Sequence, residues 1–171
     1  MEIYIEKLKV QDAEELFAFE CSNRVFFEKM VPSRGDDYYT YETFQKILYE
    51  LLKEQIEGIS YFHLIRNHEG TIVGRINLVD IEKDKELGYL GYRVGEEYVG
   101  RGIAAKGVKI LLDEAVNYHV TEIHAKTTNN NIASQKVLEK NYFSRISIDE
   151  KAAELYGQKI NFIHYIWRHT N

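Results

Sequence analysis

The stretch from Tyr92-Arg93-Val94 to Val99-Gly100-Arg101-Gly102-Ile103-Ala104 constrains this chain more than any other. Upstream the apolar residues alternate, as a strand requires. Downstream, Ala104, Val108, Leu111, Leu112 and Ala115 recur on one helical stripe. A glycine turn between the two places a helix N-terminus, with unpaired N–H groups and the positive end of its dipole, beside the end of a strand. Glycines let that backbone approach an anion closely, and a pyrophosphate fits there. The glycines are too few and wrongly spaced for the Rossmann fingerprint, and the Gly-Lys-Ser/Thr ending of a P-loop is missing. On this stretch alone, a tight turn without a ligand stands equal to phosphate binding.

The remaining pattern sets the fold. Residues 3–8 alternate and predict a strand. Asp12 is expected to cap a helix with Glu15 as its capping-box partner, and Leu16, Phe17 and Phe19 supply the apolar face. Residues 30–39 read as a loop around the single proline, Pro32. Thr40 then caps a longer helix whose Phe44, Ile47, Leu48, Leu51, Leu52 and Ile56 recur at helical spacing until Gly58. Residues 61–66 and 71–81 predict a hairpin about Asn67-His68-Glu69-Gly70, and residues 86–94 a third strand. Beyond the glycine turn come a helix, a strand over 122–127, a helix over 132–140, and strands over 143–148 and 159–167. This order implies an α+β fold on one central sheet. The 171 residues hold no repeat or linker, so residues 1–171 are expected to form a single domain.

Composition removes several function classes. Hydrophobic residues make up 44% and charged residues 29%, as in globular proteins, and the net charge of −5 disfavours nucleic acid as a partner. No run approaches the roughly 18 apolar residues that span a bilayer. The opening Met1-Glu2-Ile3-Tyr4-Ile5-Glu6 lacks the basic start of a signal peptide, so no membrane association and a cytoplasmic location are expected. Cys21 is the only cysteine and is expected to be a buried small apolar residue rather than a nucleophile. The six histidines show no metal-ligand spacing, so no metal is expected. Tyr38, Tyr39 and Tyr41 either pack as amphipathic residues or wall a substrate.

A second segment, Asn131-Ile132-Ala133-Ser134-Gln135-Lys136-Val137-Leu138-Glu139-Lys140-Asn141-Tyr142-Phe143, changes the odds at the glycine turn. Together the two segments resemble the GNAT superfamily of N-acetyltransferases, most of all its ribosomal-protein-alanine N-acetyltransferase branch. Gly102 and Ala104 match the last two fixed positions of the family's pyrophosphate motif. Asn131, Ser134, Val137, Leu138, Glu139, Lys140 and Phe143 match its second motif. Gly91-Tyr92, Asn23-Arg24, Val31-Pro32 and Gly157-Gln158-Lys159 extend the likeness over nearly the whole chain. Three positions depart from it. Val99 replaces the motif's first Gln/Arg, Tyr142 its glycine, and Leu138 stands where many relatives carry a tyrosine as general acid.

The resemblance implies a mixed, mostly antiparallel central sheet with helices on both faces. It implies acetyl-CoA as cosubstrate and an amine acceptor, a protein or peptide N-terminus or a small-molecule amine, attacked in a ternary complex; a homodimer is one assembly open to such a chain. Tyr92, Arg93 and Val94 would run beside the pantetheine arm, with an N–H near Val94 polarising the thioester. Val99, Gly100, Arg101, Gly102, Ile103 and Ala104 would wrap the pyrophosphate. Asn131 either bonds the pantetheine arm or caps a helix. Ser134 is the candidate for stabilising the thiolate, and Glu86, on the strand leading to Tyr92, the candidate base, with Glu20 as a rival. Glu20, Arg24, Tyr38 and Tyr39 are candidates for acceptor binding, and Arg24 and Arg34 for a substrate carboxylate or phosphate. Two other readings remain open: a non-catalytic acyl-CoA sensor or interaction module, and a nucleotide-binding protein.

Overall fold

The computed structural model describes residues 1–170. Its elements are β1 (Ile3–Lys7), α1 (Ala13–Ser22), α2 (Arg24–Glu28), α3 (Tyr41–Glu57), β2 (Tyr61–Asn67), β3 (Ile72–Glu82), β4 (Leu87–Val94), α4 (Ile103–Ala115), β5 (Glu122–Thr128), α5 (Ile132–Lys140), β6 (Ser144–Ile148), β7 (Ala153–Leu155), β8 (Gln158–Ile160) and β9 (Phe162–Arg168). Seven strands form one sheet in the order β1-β2-β3-β4-β5-β9-β6, and β7 and β8 make a separate hairpin. Only β4 and β5 pair in parallel; the other neighbours are antiparallel. A parallel pair needs a crossover connection, and α4 supplies it.

Each face of the sheet carries its own core. On one, Val108, Leu111, Leu112 and Ala115 of α4 and Leu138 of α5 pack on Ile65, Ile76, Leu78 and Ile123. On the other, Leu16, Phe19, Phe27, Phe44 and Leu48 of α1–α3 pack on Phe62, Leu64 and Ile72. Helices therefore cover both faces, as the family resemblance implies.

Local expectations fail where a buried charge or a positive φ intervenes. Asp12 and Glu15 form no capping box on α1. Arg66, nearly buried on β2, takes both carboxylates together with Glu6. A guanidinium with five donors, once buried, needs acceptors more than a helix end does. Thr40 does precede α3, but its hydroxyl donates to the carbonyl of Asp37 and closes a 3-10 turn over Asp36–Tyr39. Residues 24–28, not expected as a helix, form α2. Cys21 is exposed, contrary to expectation, because α1 turns the adjacent Glu20 inward instead. Glu86 lies outside β4 at φ 52°, so strand alternation does not carry it onto a common face with Gly88, Leu90 and Tyr92. The β7–β8 hairpin, turning through Tyr156-Gly157 at positive φ, was not foreseen.

Candidate active site

The site begins where β4 and β5 part. They pair only through Leu87–Glu122, Gly88–Ile123 and Tyr89–His124. From Leu90 to Val94, β4 keeps its partner β3 but has none on its other side, so a row of main-chain groups faces the opening. Backbone groups left this way need a partner. An extended amide-bearing chain can lie along them as an added strand.

The glycine turn sits at the mouth of this opening. Gly102, at φ 74°, precedes α4, and Gly100 is at φ 77°. A Cβ at either would meet nothing within 4 Å, so both face open space. The first main-chain bond into α4 runs from Lys106 N to Gly102 O. Among the described residues, the N–H groups from Gly100 to Ala105 find no protein oxygen. Free donors, a helix dipole and a concave glycine turn fit a diphosphate. Val99 is half-exposed, and the Arg101 guanidinium lies 5.6 Å from the Tyr98 ring centroid.

Across the opening, the Tyr92 hydroxyl lies 2.8 Å from Ser134 Oγ, joining β4 to the first turn of α5. Burial, the largest influence, raises Tyr92 to about 12, with the Ser134 hydrogen bond acting the other way. Its phenol therefore stays protonated at neutral pH. Asn131 caps α5, its Oδ1 accepting from Ser134 N at 3.1 Å. The helix-cap alternative for Asn131 thus holds through that oxygen. Leu138 is buried in the core and carries no polar group toward the opening.

The other side of β4 is different in kind. Arg93 contributes main chain to the opening, but its side chain lies on the opposite face, over the Phe27 ring and 3.2 Å from Glu20 Oε2. Glu20 is fully buried and also accepts from Arg75 Nη1 at 2.6 Å. Burial alone would raise its pKa, but Arg75, then Arg93 and Arg34, outweigh it and hold the carboxyl below the ordinary range. Tyr38 is buried against Phe44 and edge-on to Tyr39, while the Arg24 guanidinium covers the half-exposed Tyr39 ring at 4.2 Å. Arg24 is engaged by Glu28 and Asp36. Arg34 donates to the Tyr38 hydroxyl and has no ion pair among the described residues. The structure thus brings Glu20, Tyr38 and Tyr39 into one cluster with Arg34, Arg75 and Arg93. Arg75 was not singled out from sequence; the register Arg75–Arg93 is the signal that would have found it.

Glu86 is not brought to either group. It stands eight residues before Val94, roughly 25 Å along an extended strand, and its carboxylate accepts from Thr121 Oγ1 at 2.9 Å.

Comparison with known proteins gives the family and the fold. Residues 2–144 match the family described as "Acetyltransferase (GNAT) domain". The chain is 30% identical over 161 residues to the probable N-acetyltransferase YjcK of Bacillus subtilis (strain 168), covering 91% of this chain and 87% of that one. Among solved structures, the ribosomal-protein-S5-alanine acetyltransferase from Vibrio fischeri superposes with a TM-score of 0.90 at 21% identity, covering 98% of this chain and 93% of the other. RimL, the ribosomal L7/L12 alpha-N-protein acetyltransferase, solved in complex with coenzyme A, superposes with a TM-score of 0.86 at 19% identity, covering 97% and 93%.

Proposed function

This chain belongs to the GNAT acetyltransferase family and is an N-acetyltransferase, and from that premise we propose that residues 1–171 form one domain that moves an acetyl group from acetyl-CoA directly to a primary amine, a peptide N-terminus or a small molecule, in the cytoplasm. The observation that carries this reading is the parting of β4 from β5 with the donor-rich turn Gly100–Ala105 at its mouth.

The free N–H groups of that turn hold the diphosphate of coenzyme A, with Val99 and Arg101 flanking it. The main chain of Leu90–Val94 pairs with the pantetheine arm, whose thioester supplies the activated acetyl group. The N–H of Val94 polarises the thioester oxygen; one such donor is worth about 2.7–4 kcal/mol. Holding the two reactants together contributes up to about 7–11 kcal/mol. An α-amine, with a pKa near 8, is neutral often enough at pH 7 to attack with water as the proton carrier. Nothing in the placement of Glu86 is needed for this.

Ser134 meets the departing sulfur. Because Tyr92 keeps its proton, it can donate to Ser134 Oγ and leave the serine's own O–H free for the thiolate. Tyr92 is then a positioning residue, acting through Ser134. Support for coenzyme A comes from the free donors themselves and from the likeness to RimL, whose structure holds it.

The direct test mixes the protein with acetyl-CoA and a panel of peptides, polyamines and small amines. Free thiol and product mass are then followed. Thiol released in step with one acetylated amine supports the reading. Coenzyme A bound without thiol release across the panel would contradict it.

A further inference from the structure

The face of the sheet opposite the α4 core holds a hole with unanswered polar groups. In the antiparallel register, Arg75 lies opposite Arg93 and Asn77 opposite Gly91. Directly opposed residues in an antiparallel pair share one face, so these four form a two-by-two patch. A Cβ at Gly91 would meet nothing within 4 Å, so the corner it occupies is open. Arg75 is 4% exposed. Yet its Nε, like Oδ1 of Asn77, is buried without a partner. Buried polar atoms are rarely left this way, and a missing ligand is one ordinary reason.

The charge balance says what is missing. Among the described residues, Glu20 is the one carboxylate in ion-pair reach of Arg75 and Arg93, and Arg34, whose field reaches both Glu20 and Arg93, has none. Three guanidinium groups thus share one carboxylate. The Tyr156 hydroxyl, from the β7–β8 turn, donates to the carbonyl of Val31 and ties that hairpin to the loop bearing Arg34.

Resting on the acetyl-transfer reading above, we propose that this patch binds the acceptor, and that the acceptor is an amine carrying a carboxylate or phosphate a few bonds away. Asn77 Oδ1 takes an N–H of the amine, and Arg93, Arg75 and Arg34 take the anion. The two rows of the patch stand about 6.6–6.8 Å apart along the strand, a span that an amino acid or aminoalkyl phosphate bridges with one hydrogen bond at each end. Gly91, opposite Asn77, lies within the stretch Leu90–Val94 that the reading above gives to the pantetheine arm, so an amine held at that row stands beside the arm that carries the thioester. The nitrogen forms an amide bond to the acetyl carbon as the carbon–sulfur bond breaks. The electron pair leaves on sulfur, which is protonated to the free thiol, and the surplus proton on nitrogen passes to water.

Two measurements on the intact chain test this. The first compares kcat/KM for the common amino acids, their carboxamides, their decarboxylated amines, aminoalkyl phosphates and a neutral peptide amide. An anionic acceptor should exceed its neutral counterpart at least 100-fold. Arg93→Gln should remove most of that ratio, and Arg34→Gln, on an exposed residue, a smaller part. The acetyl-CoA dissociation constant should change less than twofold in both. Gly91→Ala, which fills the hole and removes no charge, should lower kcat/KM for every acceptor. The carboxylate and phosphate arms distinguish the two sources of the anion. The second measurement follows the guanidinium Nε–H resonances of Arg75 and Arg93 on titration with the same amines, without acetyl-CoA. Saturable shifts with anionic amines only would support the site even if no acceptor is turned over, an outcome that would fault the acetyl-transfer reading instead. Equal rates with neutral acceptors, an unchanged ratio in Arg93→Gln, or silent arginine resonances would overturn the proposal.

Discussion

The two sides of β4 are built by different means. Toward α4 and α5, the candidate cofactor cradle is mostly main chain: Leu90–Val94 without a second strand partner and the turn Gly100–Ala105 with free N–H groups. Toward α1 and α2, the site is all side chain, with Glu20, Arg34, Arg75 and Arg93 drawn from four separate segments. A cradle of backbone donors depends little on which side chains surround it. A cluster of paired charges depends on every member, because removing one partner leaves the others buried and uncompensated. The first suits a ligand common to many enzymes, and the second an acceptor that differs between them.

Variants can pull the two sides apart. The largest effect should come from Glu20→Gln, which strips Arg75 and Arg93 of their shared carboxylate at a fully buried site. It should cost about 3–5 kcal/mol of stability, read by urea unfolding, while coenzyme A affinity of the folded fraction is kept. Gly102→Asp should do the reverse. A negative charge beside the diphosphate should raise the acetyl-CoA dissociation constant about 100-fold, near 2.7 kcal/mol. Calorimetry with Gly102→Ala as control separates this charge effect from the cost of a side chain at φ 74°.

The pH dependence of stability should also divide by side. His63, buried on β2 and facing Tyr118 and Glu114 on the α4 side, is pulled down to about 4 by burial first and then by Lys7. Between pH 6.5 and 4 the unfolded chain therefore binds a proton that the native chain does not. Stability from this group is full above pH 6.5 and is lost as pH falls through that window, by about 3 kcal/mol in all. His63→Gln should flatten the profile there. Glu20 is held below its ordinary range, so its contribution is present above the unfolded value of 4.5 and lost only as pH falls further. Smaller still, Ser134→Ala should lower kcat about tenfold and Tyr92→Phe about threefold, with no added loss in the double variant. Additive losses would separate the two hydroxyls. Glu86→Gln should change kcat/KM less than twofold across pH; a loss that shrinks as pH rises would restore it as the base.

The same contrast explains what the sequence could reveal. The glycine turn, the α4 stripe and α5 with its Asn131 cap are local, so periodicity and spacing expose them. The succession of strands and helices along the chain follows from alternation and helical spacing, whereas the arrangement of the sheet comes from the family resemblance. The proposed acceptor side is not local. Glu20 and Arg75 meet only after α1 packs on β3, and no spacing between them announces it. Glu15 illustrates the same point in reverse: its spacing from Asp12 suggests a helix cap, yet Arg66, 51 residues away, claims it. Glu86 failed as a strand residue because its φ is positive, a backbone state that a glutamate gives no sign of.

The central claim is that main-chain donors at the turn before α4 grip the diphosphate of coenzyme A. An amide proton–nitrogen titration with coenzyme A tests it most directly. The account predicts saturable, downfield shifts at residues 100–105 and along 90–94, with Asn77 and Arg75 unmoved. Saturable binding that leaves residues 100–105 unshifted would contradict it.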